Sequence, residues 1–183
     1  MAIHRLNHAV LYVRDVASSV AFYRDVLDFE VITDIDGKAA FLRADGSFND
    51  HDLGLFQVGA SAGPSTAGRT SVGLYHLAWE VDTLRDLEAL TVRLAEAGAL
   101  VGATDHGTTK SLYGHDPDGL EFEIAWIVPA DQLDDAAIAA RAAVRPLDLS
   151  REIERYGPDT VGGIGVSRPL RSTVTGEQPS GSS

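Results

Sequence analysis

The chain has 183 residues, with 27 acidic against 15 basic side chains, a formal charge of −12, and no cysteine. That length suits one domain or two small repeated units around a buried core, and the lack of Cys excludes a disulfide scaffold, thiolate zinc sites and a cysteine nucleophile. The acidic balance argues against nucleic acid as a partner, and no apolar run approaches the roughly 20 residues that span a bilayer. With no signal peptide in its first ten residues, a soluble cytoplasmic protein is expected.

Arg5 to Val13 is rich in apolar and β-branched residues and predicts a strand. Asp15 stands at an N-cap position before Val16, Val20, Tyr23 and Leu27, which share one helix face. Strands are expected at Glu30 to Asp34, Ala39 to Arg43 and Leu53 to Val58, separated by turns at Asp36-Gly37 and Asp45-Gly46. Gly59 to Thr70 is rich in Gly, Ser and Pro and predicts a linker. The order then repeats. Leu74 to Val81 is a strand; Asp82 or Thr83 caps a helix carrying Leu84, Leu87, Leu90 and Leu94, with Gly98 as its C-cap. Strands at Leu100 to Thr104, Ser111 to Tyr113 and Leu120 to Val128 complete the second unit. The sequence therefore predicts an α+β fold of two tandem βαβββ modules, residues 3–58 and 73–128, joined by a linker over 59–72. Their strands are expected to form a curved mixed sheet around a metal cleft, with the helices outside. Residues 129–170 predict a helical extension, with helices at Asp131 to Val144 and near Ser150 to Tyr156, and 171–183 a disordered tail.

Aligning the modules at His8 and His76, an offset of 68 positions, places Leu55 opposite Glu123 on the last strand of each. Of the four equivalent positions, three carry metal-ligating types and the fourth is aliphatic. Two imidazoles and a carboxylate with open remaining positions form the triad used by non-haem Fe(II) oxygenases. Alternation puts Glu121 on the same face as Glu123, and strand periodicity does not choose between them. Glu80 shares the face of His76 and is a competing ligand or an outer partner; Gln57 replaces Leu55 if the modules differ by two residues. Trp79 and Trp126 point the other way, toward the helices.

Several runs carry a family resemblance: Asn49-Asp50-His51-Asp52-Leu53, Asp105-His106-Gly107, Ser111-Leu112-Tyr113, and Asp116-Pro117-Asp118-Gly119 followed by Glu123. Together they resemble the vicinal oxygen chelate superfamily of glyoxalases, extradiol dioxygenases and bleomycin or fosfomycin resistance proteins. The likeness spans about Ile3 to Val128 and is nearest to the single-domain catechol 2,3-dioxygenase branch. Leu120 departs from it, since many members carry Asn after the Gly.

The resemblance implies Glu123 rather than Glu121 as the carboxylate ligand, beside His8 and His76. It implies Fe(II) as the cofactor, with Mn, Zn or Ni as alternatives, and a small aromatic diol and O2 as reactants. His106 would be the acid–base group, Tyr113 a hydrogen-bond donor to a substrate oxygen, and His51 a substrate-side residue. His115 and His4 are expected at the surface. The resemblance also implies a homodimer. A glyoxalase-like lyase and a non-catalytic binding protein of the same fold are the alternatives.

Overall fold

The computed structural model describes residues 2–170. The first module runs β1 (Ala9–Val13), α1 (Val16–Asp25), β2 (Glu30–Ile35), β3 (Ala39–Arg43) and β4 (Leu53–Gln57). The second runs β5 (Leu77–Glu80), α2 (Leu84–Glu96), β6 (Leu100–Asp105), β7 (Thr109–His115) and β8 (Glu121–Ile127). The Asp15 carboxylate accepts the Ser18 N–H at 2.7 Å and starts α1. Thr83 and Asp86 form a reciprocal capping box at α2. Gly98, at φ +65°, turns the chain out of α2 in a conformation that a Cβ would strain.

Strand order is β1-β4-β3-β2 in the first module and β5-β8-β7-β6 in the second. In each, the first and last strands pair in parallel and the other pairs are antiparallel. The predicted α+β fold with helices flanking the strands is therefore present, as two separate hydrogen-bonded ladders.

Alternation sends one face of each sheet to the helices. Leu11, Val13, Leu53 and Leu55 pack with Val16, Val20 and Tyr23 of α1. Leu112, Phe122, Ile124 and Trp126 pack with the leucines of α2. Phe22, Leu27 and Trp79 touch both cores and join the modules, so both tryptophans lie on the helix side as expected. Arg14 reaches Asp118 at 2.6 Å, Arg93 reaches Asp28 at 2.6 Å, and the Tyr23 hydroxyl donates to Asp116 at 3.3 Å across the same seam.

Two expectations about element boundaries are corrected. β5 begins at Leu77 and not at Leu74: Leu74 and Tyr75 are exposed and lie outside any ladder. The single helix expected over Asp131 to Val144 is broken. A 3-10 turn (Ala130–Gln132) is followed by extended Leu133, and Asp134 caps a short new helix, α3 (Asp135–Ala139), by accepting the Ala137 N–H at 2.7 Å. High alanine propensity loses here to a local cap, because a side-chain acceptor restarts the helix at Asp134. The chain then forms a two-residue strand, β9 (Arg145–Pro146), on the free edge of β6, and α4 (Leu149–Tyr156). The tail expected over 171–183 lies outside the described residues. No helix among the described residues is long and apolar enough to cross a membrane.

Candidate active site

The helix-averted face of module two collects the polar groups. On β8, Glu121, Glu123 and Ala125 alternate with the core residues Phe122, Ile124 and Trp126. Tyr113 on β7 stands directly opposite Glu123, and Ser111, two residues away on the same face, donates its hydroxyl to the Glu123 carboxylate. His76, just before β5, places Nε2 3.1 Å from Glu123 Oε2. Its Nδ1 is buried without a hydrogen-bond partner, 3.8 Å from Glu121 Oε1. Burial, and after it the Glu123 charge and hydrogen bond, pushes the Tyr113 phenol up to about 12, so it stays a protonated donor at neutral pH. His106 follows β6 and bridges the Tyr113 hydroxyl, 3.0 Å from Nε2, and the Ala143 carbonyl, 2.9 Å from Nδ1. Glu123, His76, Tyr113 and His106 thus form one connected group.

Module one presents an apolar counterpart. Val10, Tyr12 and Phe56 are exposed on the face that β1 and β4 turn away from α1, and the Phe41 ring contacts both Phe56 and His51. His8 lies at the start of this face. Its Nδ1 is 2.8 Å from Asn7 Oδ1, and its ring centroid is 4.6 Å from that of His51. Among the described residues no three His, Asp or Glu side chains gather closely enough to hold an ion. His76 and Glu123 meet; His8 borders a cavity of about 190 Å³ that Ala78, the cross-strand partner of Glu123, also lines. The backbone before His8 is well anchored. Buried Asn49 donates to the Asn7 carbonyl at 2.7 Å and to Asp52 at 2.6 Å. His51 pairs with Asp50 at 2.9 Å, and His115 is 3.8 Å from Glu121 at the exposed end of β7.

The strand register corrects the fourth corner. Two residues beyond His76, Ala78 pairs with Glu123; two residues beyond His8, Val10 pairs with Gly54. The counterpart of Glu123 is therefore Gly54, not Leu55. Leu55 pairs with Leu11 and is fully buried against α1. The path from His8 to β4 is one residue shorter than the path from His76 to β8, and a one-residue slip moves a strand residue to the opposite face. Gln57 shares the Leu55 face and accepts the Val16 N–H at 3.3 Å, which removes it as a ligand candidate. Glu80 is also removed: it accepts the Ser167 hydroxyl at 2.8 Å and pairs with Arg168 at 3.3 Å. The corner lacks a ligating side chain either way.

Sequence reasoning missed Ser111, whose diagonal relation to Glu123 follows only from the β7–β8 register. It also missed the Ala143 carbonyl, which reaches His106 from the extension, and Lys110, buried on the helix side, which binds Asp105 and the Gly107 carbonyl on either side of His106. His76 and Glu123, with the buried and unpartnered His76 Nδ1 beside Glu121, are donor types chemically suited to help hold a divalent ion.

Residues 5–124 match the family model described as Glyoxalase/Bleomycin resistance protein/Dioxygenase superfamily. The chain belongs to this superfamily, and relatives with dioxygenase names lie among its matches. A catechol-2,3-dioxygenase of Bacillus subtilis is 33% identical over 119 residues, 65% of this chain and 40% of that protein. Biphenyl-2,3-diol 1,2-dioxygenase 3 of Rhodococcus globerulus is 33% identical over 121 residues, 66% of this chain and 62% of that protein. The chain thus spans less than two thirds of either relative's length. Among solved structures, a glyoxalase/dioxygenase from Nostoc punctiforme superposes with a TM-score of 0.55 at 24% identity, over 66% of this chain and 89% of the other. The fosfomycin resistance protein FosX from Listeria monocytogenes gives 0.51 at 21% identity, over 68% and 93%. These likenesses support the fold.

Proposed function

We propose that this chain is an Fe(II)-dependent extradiol dioxygenase that opens the ring of a catechol-like diol with O2, and that it works as a cytoplasmic homodimer. The observation that carries the proposal is the Tyr113–His106 pair beside Glu123: a donor and a proton carrier already joined at 3.0 Å on the face that holds the candidate ligands.

In this proposal His76, Glu123 and His8 would hold the ion. Bound Fe(II) would supply the redox chemistry between the diol and O2. The chain's own residues do the rest. Val10, Tyr12 and Phe56, with His51 beside Phe41, offer an apolar and aromatic wall that suits a flat ring and excludes water from it. Ser111 holds the Glu123 carboxylate by hydrogen bond and fixes its orientation. On substrate binding Tyr113 turns its O–H from His106 Nε2 to a substrate oxygen, and the freed Nε2 takes a proton from the diol and returns one as the carbon–carbon bond beside the diol breaks. Both atoms of O2 end in the ring-opened product. Gly54 at the fourth corner offers no side-chain ligand, where a Lewis-acid isomerase would be expected to carry one.

The test is anaerobic loading with Fe(II), followed by oxygen uptake with a panel of catechols and detection of yellow ring-opened products. Stoichiometric uptake with product is expected. Turnover of a hemithioacetal with Zn, Ni or Mn and no oxygen uptake would move the chain to the glyoxalase-like lyases, and ligand binding with neither reaction to a sequestering role.

A further inference from the structure

The C-terminal extension touches His106 itself once and the residues around it at three further points. The His106 Nδ1 lies 2.9 Å from the carbonyl of Ala143, between α3 and β9. Gly107, at φ +75°, lets the loop after His106 press against α3 so closely that a Cβ there would lie 2.5 Å from the Ala137 carbonyl oxygen. Behind the loop, the ammonium of Lys110, only 1% exposed, binds Asp105 and the Gly107 carbonyl at 3.1 Å and pairs with Glu152 of α4 at 2.9 Å. β9 adds a backbone ladder to Asp105 itself.

A carbonyl oxygen only accepts hydrogen bonds, so the His106 nitrogen facing Ala143 must carry the proton. In the neutral imidazole Nε2 is then a bare lone pair, and it faces the Tyr113 hydroxyl, whose pair with it is already made at 3.0 Å. An imidazole free of that carbonyl would sample both tautomers, and the Nε2–H form would point an N–H at the phenol and block the donation. Lys110 is costly to bury and has no role on the cleft side; its three partners are the two residues flanking His106 and the extension.

We infer that the extension, residues 129–168, is a positioning element of the reaction: through the Ala143 carbonyl, held in place by the buried Lys110–Glu152 pair, it fixes His106 as the Nδ1–H tautomer, with Nε2 ready to receive a proton. This deepens the proposed function and rests on it for its catalytic consequence. The tautomer itself is independent of that function.

The test uses the full chain in two altered forms. Glu152→Gln removes the charge that anchors Lys110 to α4. Replacing Val144 by its α-hydroxy acid converts the Ala143 carbonyl to a weaker ester acceptor without touching a side chain, and keeps the test alive where the first variant folds poorly. Nitrogen-15 NMR of the His106 ring, read without added metal, should show a protonated Nδ1 and a bare Nε2 in the parent and averaged ring nitrogens in both altered proteins. With Fe(II) and a catechol, kcat should fall about tenfold with KM within about twofold. A parent ring protonated at Nε2, or altered proteins that fold and keep the parent ring signals, would overturn the inference. Parent signals as expected with no oxygen uptake by the parent would sink the dioxygenase proposal and leave the positioning of His106 intact.

Discussion

The two modules share strand order, helix placement and capping, yet their averted faces differ in kind. Module one shows Val10, Tyr12 and Phe56 with Gly54 among them; module two shows His76, Glu123, Tyr113 and Ser111. The outer edges differ as well. The edge strand of module two, β6, is paired with β9, whereas β2, in the same place in module one, has no second partner among the described strands. The repeated scaffold thus carries a mostly apolar averted face in module one and a polar one in module two, and the extension packs on module two, against both the α2 core and the loop of His106. The difference lies in which side chains occupy equivalent backbone positions, because the backbones themselves are alike.

The sharpest way to break this comparison is to ask iron which module it needs. His76→Ala and Glu123→Ala should each abolish retention of Fe(II) after desalting, read as bound metal per chain, a loss of a hundredfold or more in affinity on the order expected for deleting a ligand. Leu55→Ala should cost about 3 kcal/mol in denaturant unfolding and leave iron stoichiometry unchanged, because that side chain fills a core and faces away from the cleft. Retention of iron by the two alanine variants, or its loss in Leu55→Ala, would reverse the assignment of faces.

Tyr113→Phe comes next. It keeps the ring against His76, with centroids 5.9 Å apart, and deletes only the hydroxyl that His106 binds. Iron content should stay at the parent level while kcat falls about a hundredfold. An unchanged kcat would remove the pair from the reaction.

Much of this fold was legible from local signals. Asp15 and Thr83 announce their helices, the leucine spacing of α2 sets its buried face, and the alternation in β8 separates Trp126 from Glu123. Separate roles for Tyr113 and His106 came only from the family resemblance; the hydrogen bond between them was not anticipated and comes from the structure. What was not legible depends on counting across loops. The equivalence of Gly54 and Glu123 needs the register of parallel strands some 46 residues from the aligned histidines, where a single residue changes the face. The break in the helix at Leu133 and the docking of β9 depend on what the extension packs against, which no local propensity encodes. The His8 ring rests against Asn7 and His51, a side-chain choice that strand periodicity does not specify.

The edge bound by the extension also predicts a pH dependence. Burial raises the Asp105 carboxyl, but its hydrogen bonds to Lys110 and to the Gly107 N–H and the charges of Lys110 and Arg145 outweigh that, so it sits below the usual carboxylate range. A carboxylate lowered in the folded state adds stability above its unfolded pKa of about 4 and loses it as pH falls through the folded value. Asp105→Asn should therefore be about 2 kcal/mol less stable than the parent at pH 7, with the gap closing below about pH 4. A gap that stays constant down to pH 2 would mean that the Asp105 charge does not hold Lys110, leaving Glu152 and the Gly107 carbonyl as its partners.

The smallest effect tests the quieter module. Gln57 accepts the Val16 N–H at the first turn of α1, where a helix leaves its donors unmet. Gln57→Leu should leave iron binding and oxygen uptake at parent levels and lower unfolding free energy by about 1 kcal/mol, the usual scale of a lost cap contact. Because Gln57 and Leu55 share a face, the two substitutions read the same geometry from opposite ends of β4. A drop in iron content in Gln57→Leu would place that face toward the ion, and then Gly54, not Gln57, would be the residue turned to the helix.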